Sequence, residues 1–219
     1  MARRGDQLRD HILWTAKDVF LEQGFERTSM DVVASRAETS KRSLYAHFES
    51  KEKLFLAVID LVRGLFLGRL KMPGDYPGRP AEVLTAFCGR YLEILLYESS
   101  VQMMRLSMAE STRFPQGAVA YFDVVFAEVH TRVSAYLKAT FDLSAKLSDH
   151  SAQKLLGQVL HPRLPRALLG LDKLATSFDQ KGLSPDFDLA QILEAVVDVM
   201  RALPKRPLRP RTDADAQPT

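Results

Sequence analysis

Residues 28–34 (TSMDVVA) and residues 40–54 (SKRSLYAHFESKEKL) hold the stretch of sequence that decides the fold. The first begins with a capping-box string, in which the Thr28 hydroxyl and the Asp31 carboxylate are expected to satisfy backbone N–H groups at the start of a helix. Apolar residues at helical spacing follow it, and a second short helix is predicted over 41–48. Because residues 38–40 are too polar and too few for anything but a turn that ends in an N-cap, the two helices form a helix-turn-helix unit.

The sequence on either side of this unit predicts an all-α fold. Apolar residues recur at helical spacing from Leu8 towards Gly24, a natural helix stop, and Ser50 can cap a longer helix after the unit. We expect a helix-turn-helix domain over 6–66, a second helical domain over 80–203 and a disordered tail over 204–219. Beyond a Pro- and Gly-rich loop at 72–80, helices are predicted around 84–95, 101–110, 122–136 and 152–159. Pro162 should end the last of these helices. A final helix is predicted to start at Ser184-Pro185-Asp186.

The composition excludes several classes of protein. The chain has 219 residues, of which 46% are hydrophobic and 26% charged, the balance of a folded protein with a sizeable core. No apolar run approaches the roughly 18 residues that span a bilayer, and the basic start lacks the apolar segment of a secretory signal. The single cysteine, Cys88, excludes an intramolecular disulfide framework and fits a reducing compartment. We expect a soluble cytoplasmic protein with no membrane partner, whose net charge of +3 permits an acidic partner without requiring one.

The predicted helix over 41–48 carries the strongest candidate binding surface. Only Leu44 and Phe48 point inward, so its polar side chains should be exposed. These suit a nucleic acid, because Lys and Arg contact phosphates or guanine edges while Ser, Tyr and His add further polar contacts. Lys51 follows in the first turn of the next helix, where the helix dipole disfavours a cation and a nearby phosphate would favour one. The alternative is a solvated polar face on a small helix.

Other chemistry has less support in the sequence. The five histidines have no partner at metal-ligand spacing, and Cys88 lies on the periodic face of its helix, which favours the core over a nucleophile. No GxSxG, HExxH or phosphate-loop motif occurs. We therefore expect no metal, no cofactor and no catalytic residue. A small helical enzyme and a helical protein-interaction adaptor stay as alternatives to DNA binding.

Residues 28–34 and 40–54 together resemble the DNA-binding domain of TetR/AcrR-type bacterial regulators. The string LYAHF followed by ESKEKL is the most specific part, and the resemblance covers about residues 6–66. The stretch 105–115 is similar to one that is common in the AcrR-like branch. Three positions depart from the family pattern: Glu38 stands where glycine is usual, Thr39 where a small apolar residue is usual, and Arg42 where glycine or proline is frequent. Since left-handed backbone costs a glutamate roughly 1–2 kcal/mol, we expect a strained or slightly reshaped turn.

The resemblance implies a two-domain homodimer whose helix over 41–47 enters the major groove of a pseudo-palindromic double-stranded operator. It also implies a repressor that a small-molecule inducer releases by changing the spacing of the two reading helices. Apolar stripes on the late helices, about 148–160 and 186–203, are the expected dimer contacts. The residues expected at the DNA are Thr28, Ser29, Thr39, Ser40, Lys41, Arg42, Ser43, Tyr45, His47 and Lys51.

The region between 87 and 126 is rich in aromatic residues and methionine, which suits an apolar ligand cavity because methionine adapts to irregular ligands. We expect a largely apolar or aromatic ligand, oriented by one or two polar groups such as Tyr121 or Arg105. For any single residue, ordinary core packing is the alternative. The predicted pocket residues are Phe87, Tyr91, Met104, Arg105, Met108, Tyr121, Phe122 and Phe126.

Overall fold

The computed structural model describes residues 2–177, 179 and 182–204, with side chains from residue 5 onward. Within these ranges the protein is built from helices and contains no strand; a single bridge pairs Tyr97 with Ala175. The predicted all-α fold is confirmed. The helices are α1 (Ala2–Arg27), α2 (Met30–Arg36), α3 (Lys41–His47), α4 (Lys51–Arg69), α5 (Pro80–Leu96), α6 (Glu98–Ala109), α7 (Pro115–Phe122), α8 (Glu128–Phe141), α9 (Ala145–Leu160), α10 (Arg163–Leu168) and α11 (Ala190–Ala202).

Serine caps explain where several of these helices begin. Ser29, Ser40, Ser50 and Ser144 precede α2, α3, α4 and α9, and each hydroxyl accepts a hydrogen bond from the backbone N–H three residues later. Such a cap satisfies one of the backbone donors that the first turn leaves without a partner. The cap of α2 is therefore Ser29, and the predicted capping role of the Thr28 hydroxyl is wrong. Thr28 Oγ1 instead donates to the carbonyl of Gly24 at 2.7 Å.

Three segments differ from the sequence prediction. At Gly24 the backbone of α1 leaves the helical conformation (φ 74°, ψ 172°), so the predicted stop is a kink followed by a last turn. The final helix begins at Ala190, and the predicted start at Ser184 is only a turn, closed by the Phe187 N–H on the Ser184 carbonyl at 3.1 Å. The N–H of Ser184 donates to the buried carboxylate of Glu93 (3.1 Å). The helix α10 was not predicted at all. The predicted tail at 204–219 lies outside the described residues, except for Pro204.

Four phenylalanine rings join the helix-turn-helix part of the molecule to the helices that follow. Phe25 of α1 and Phe55 of α4 lie 5.2 Å apart, centroid to centroid, and Phe20 packs beside both. Phe114, in the turn between α6 and α7, completes the cluster at 4.9 Å from Phe25 and 5.1 Å from Phe55. Such aromatic pairs add stability beyond the area they bury, so the two parts share one core at this point.

The C-terminal helices surround α5, most of whose residues are buried from Val83 to Leu95. α9 packs against α8 and α11, and α10 packs against α5 and α6. A π-helical segment over Asp123–Ala127 links α7 to α8, and Tyr91 Oη donates to the carbonyl of Val125 within it at 3.1 Å. None of the helices in the described ranges is long and apolar enough to cross a membrane.

Candidate nucleic-acid surface and apolar groove

The short helix α3 presents a polar outer surface over an apolar anchor. Leu44 and Phe48 are buried, as predicted, at 0% and 4% exposure. Two buried side chains on so short a helix fix its orientation against α2 and leave the remaining side chains at or near the surface.

The exposed cations of α3 differ in their partners. Lys41 Nζ lies 2.6 Å from Asp31 Oδ2 in an exposed ion pair, so part of its charge is already balanced. Arg42 is exposed and forms no hydrogen bond or ion pair with the described part of the chain. Tyr45, 49% exposed, lies one turn further along. Arg42 and Tyr45 thus offer a guanidinium and a phenol to an external partner.

The remaining predicted contacts form the edge of this surface. Ser29 and Ser40 are exposed, and Ser40 also lies within hydrogen-bond distance of the Ser43 hydroxyl (2.9 Å). Thr39, Ser43 and His47 are half-buried. These residues lie in the turn before α3 or along the helix itself, next to Arg42. Since the hydroxyls of Ser29 and Ser40 already cap helices, we regard them as positioning the backbone first.

Two predicted DNA contacts have partners inside the protein instead. Thr28 is 2% exposed, and its hydroxyl is bound to Gly24. Lys51 Nζ donates to the carbonyls of Phe25 (3.0 Å), Glu26 (3.3 Å) and Thr28 (2.9 Å) and lies 4.3 Å from the centre of the Phe25 ring. The ammonium group therefore neutralises the carbonyl end of α1, which explains a cation in the first turn of α4 without a phosphate. We leave both residues out of the proposed surface.

The turn between α2 and α3 has the left-handed backbone expected at Glu38, with φ at 49°. The strain follows from the missing glycine, because a side chain at positive φ crowds the following carbonyl. The turn is nevertheless closed by backbone hydrogen bonds, including Thr39 N–H to the carbonyl of Ala34 at 3.0 Å.

A second feature, an open apolar groove of about 420 Å³, lies between α6, α7, the π-helical segment and α10. Five of the predicted ligand residues line it: Met104, Met108, Tyr121, Phe122 and Phe126. Met108 and Phe122 are 52% and 57% exposed at its mouth, while Met104 and Tyr121 are buried at its floor. A volume of this size falls in the range of small-molecule sites.

Three predicted ligand residues lie elsewhere. Phe87 is fully buried, its ring packs 6.1 Å from that of Tyr76, and it does not line the groove. Tyr91 is 1% exposed and lines a neighbouring cleft towards α9. Arg105 faces the other way: its guanidinium donates to the carbonyls of Leu168 (2.9 Å) and Ala167 (2.8 Å). It holds the end of α10 and is not the polar group that orients a ligand.

The residues that sequence reasoning missed come from α10 and from the inner face of α6. Leu164 and Leu168 form one wall of the groove, and Ser107 lies within it. No signal pointed to α10, since Pro162 and Pro165 suggested a break in helical structure. By helical spacing, Ser107 lies on the inward face of α6. Because serine is not apolar, the sequence did not indicate it as a residue of the groove.

Burial changes the acidity of the groups near the groove. It raises the pKa of the Tyr91 and Tyr121 hydroxyls well above the ordinary tyrosine value, and it raises the pKa of the Cys88 thiol to about 12. All three groups stay neutral at physiological pH. Cys88 is fully buried in the core, so its thiol is protonated and out of contact with solvent. In the described part of the chain no group of three or more His, Cys, Asp or Glu side chains is placed to hold a metal ion.

Comparison with known families matches both halves of the chain. Residues 12–58 match the family model of bacterial regulatory proteins of the tetR family, and residues 82–180 match the C-terminal domain of AefR-like transcriptional repressors. The chain belongs to the TetR family. The family resemblance stated from residues 28–54 is thereby confirmed.

Individual relatives of this TetR-family chain agree with the assignment. It is 44% identical over 62 residues to the HTH-type transcriptional activator FasR of Mycolicibacterium smegmatis, a match that covers 26% of this chain and 28% of FasR. A TetR-family regulator from Mesorhizobium loti shares the fold with a TM-score of 0.70, at 19% identity, over 90% of this chain and 97% of that one. The flavonoid-responsive regulator FrrA does so with a TM-score of 0.65, at 25% identity, over 90% and 94%. All three are named as regulators. The match to FasR covers less than a third of that protein's length.

Proposed function

We propose that this chain is a sequence-specific DNA-binding transcriptional regulator that reads the major groove with α3. The observation that carries the proposal is Arg42, an exposed guanidinium without a partner in the described part of the chain, on a helix whose apolar side is anchored by Leu44 and Phe48. A guanidinium can donate two parallel hydrogen bonds to a guanine edge, which is the commonest specific contact in the major groove. Lys41 and Tyr45 would then contact phosphates or neighbouring bases.

Regulation as a repressor is the form that we favour. The C-terminal match is to a repressor domain, whereas FasR is named an activator. A reporter assay therefore decides between repression and activation. We further propose that a small, largely apolar inducer occupies the groove lined by Met104, Met108 and Phe122. FrrA, which responds to flavonoids, is a structural relative whose effectors are aromatic. An inducer with a coupling free energy of about 1–3 kcal/mol between the two sites would lower operator affinity 5–150-fold.

A homodimer would present two copies of α3 to a pseudo-palindromic operator, at half-sites about 34–36 Å apart. Val196 lies on the apolar stripe predicted over 186–203 but is not part of this proposal, because it is fully buried within the subunit. Leu193, on the same helix α11, is 51% exposed and lies next to the half-buried Val197 and Met200 at helical spacing. We propose this outer face of α11 as a dimer contact. Leu193→Glu should give a monomer in sedimentation-velocity experiments, and a wild-type monomer at micromolar concentration would contradict the dimer.

The decisive experiment measures DNA binding by the full chain. A duplex is selected from a random pool, and its affinity is compared for wild type, Arg42→Ala and Arg79→Ala, the last being an exposed arginine outside the surface. We expect Arg42→Ala to lose about 1–3 kcal/mol on the selected duplex and to discriminate it less well from a scrambled one. Arg79→Ala should match wild type. If wild type binds the selected and the scrambled duplex equally, the proposal fails.

A further inference from the structure

Helix α6 carries a buried hydroxyl that has no hydrogen-bond partner among the described residues, that of Ser107. The residue is 7% exposed and lies on the wall of the apolar groove. Helical serines and threonines can donate to the carbonyl four residues earlier. Thr85 does so to Ala81 at 2.8 Å, and Thr131 does so to Ala127 at 3.0 Å. Ser107 does not, and a buried hydroxyl without a partner is unfavourable. The oxygen is enclosed in this conformation, so a molecule in the groove becomes its partner only after the Ser107 side chain changes rotamer.

Two of the other polar groups near Ser107 are already engaged, whereas the hydroxyl of Tyr121 at the floor of the groove forms no hydrogen bond with the described residues. Ser111 Oγ, on the same groove, donates to the carbonyl of Met108 at 2.8 Å. The Arg105 guanidinium is bound to the carbonyls at the end of α10. The hydroxyl of Ser107 therefore has unused donor and acceptor capacity at the wall of the groove, which the two neighbouring groups lack.

The groove lacks any charged side chain among its lining residues. A second cavity of about 400 Å³, between α5, α10 and the segment that leads to α11, shows the opposite character, because Glu93, Arg163, Asp172 and Lys173 line it. An ion placed in the groove would lose hydration and find no opposite charge, which disfavours anions and cations alike. Apolar walls with the two unpartnered hydroxyls of Ser107 and Tyr121 fit a neutral molecule with one or two complementary polar groups.

We propose that Ser107 selects the ligand of the groove: an uncharged, mainly aromatic molecule whose hydroxyl or carbonyl hydrogen-bonds to Ser107 Oγ. The inference rests on the proposed function only in taking the groove as the effector site. Met104 and Met108 flank the hydroxyl and adjust to the ring system, and Phe122 offers a ring face at the mouth. Ser107 thus joins Tyr121 in the orienting role that the sequence suggested for Tyr121 or Arg105.

Three probes of one ring system test this inference without DNA. Isothermal titration calorimetry on the full chain compares 2-naphthol, 2-methylnaphthalene and 2-naphthoate, which present a hydroxyl, a methyl group and a carboxylate at the same position. We expect wild type to bind 2-naphthol about five- to tenfold more tightly than 2-methylnaphthalene, and not to bind 2-naphthoate measurably. Ser107→Ala should abolish the preference for the hydroxyl and keep the affinity for 2-methylnaphthalene. Ser111→Ala is the matched control and should keep the preference, because its hydroxyl is already used.

The possible outcomes separate this inference from the proposed function. An equal preference in wild type and Ser107→Ala overturns the role of Ser107, and tighter binding of 2-naphthoate overturns the neutral ligand class. If neither neutral probe binds at its solubility limit, the inference is overturned as a whole. A misfolded variant is recognised by its circular dichroism, although Ser107→Ala removes an unpartnered group and should be at least as heat-stable as wild type. A chain that shows the naphthol preference but binds no selected duplex contradicts the proposed function alone.

Discussion

The surface of α3 and the apolar groove differ in how far apart in the sequence their residues lie. Every side chain of the α3 surface comes from one stretch of about twenty residues, and two buried residues set its orientation. The walls of the groove come from α6, α7, the π-helical segment and α10, which are separated by up to sixty residues. A local surface follows from helical periodicity, whereas a groove depends on how distant helices pack.

The two regions meet at the aromatic cluster in the turn between α6 and α7. Phe114 follows directly after the last turn of α6, whose residues line the groove, and its ring packs on Phe25 and Phe55 beneath the helix-turn-helix unit. Arg113 adds an ion pair to Glu26 and lies over the Phe25 ring at 4.9 Å. This contact, together with the packing of α6 on α1, links the groove to α1.

The largest effect is expected from Phe114→Ala. Phe114 is 5% exposed and contacts two rings of the N-terminal core, so truncation should lower the free energy of unfolding by about 3–5 kcal/mol. Phe122→Ala is the matched control, since Phe122 is 57% exposed and should cost less than about 0.5 kcal/mol. Guanidinium denaturation followed by circular dichroism measures both. A loss below about 1 kcal/mol for Phe114→Ala would mean that the two regions are only loosely joined.

An intermediate effect is expected from Lys51→Met, with Lys53→Met, an exposed neighbour, as control. Since Lys51 holds three carbonyls at the end of α1, its loss should lower the free energy of unfolding by about 1–2 kcal/mol. The salt dependence of DNA binding should keep its slope. A phosphate contact predicts the reverse, with unchanged stability and a slope smaller by about one. Denaturation and binding at several salt concentrations therefore distinguish the two roles.

The smallest effect is expected from Glu38→Gly. Glycine removes the left-handed strain at φ 49° but makes the unfolded chain more flexible, so the net gain should be about 0.5–1 kcal/mol. Asp142→Gly is the comparison, because Asp142 has a similar φ of 55° and aspartate tolerates this conformation better, so its gain should be smaller. Thermal unfolding measures both. Equal or negative changes would show that the turn is not strained by its glutamate.

Sequence reasoning reached the helix-turn-helix unit, its cap at Ser40 and its buried pair Leu44 and Phe48 because all of these depend on neighbours within one or two turns. It also brought together five of the eight proposed groove residues, since aromatic and methionine side chains are concentrated on the helices that form it. It did not indicate the internal partners of Lys51, because the carbonyls that Lys51 binds lie more than twenty residues earlier. The start signal at Ser184 gave only a single turn, and the partner of its N–H, Glu93, lies about ninety residues away, where no local pattern indicates it.

The sequence by itself determined that the protein is all-α, where its short helices begin, and which side chains α3 exposes. Those properties follow from capping, periodicity and turn chemistry, which act over a few residues. Only the tertiary structure decided that Arg105 fastens α10, that Val196 is internal while Leu193 is external, and that Ser107 is buried without a partner. The physical reason is that burial and hydrogen-bond satisfaction belong to contacts between distant segments, and no local pattern reports which segments will meet.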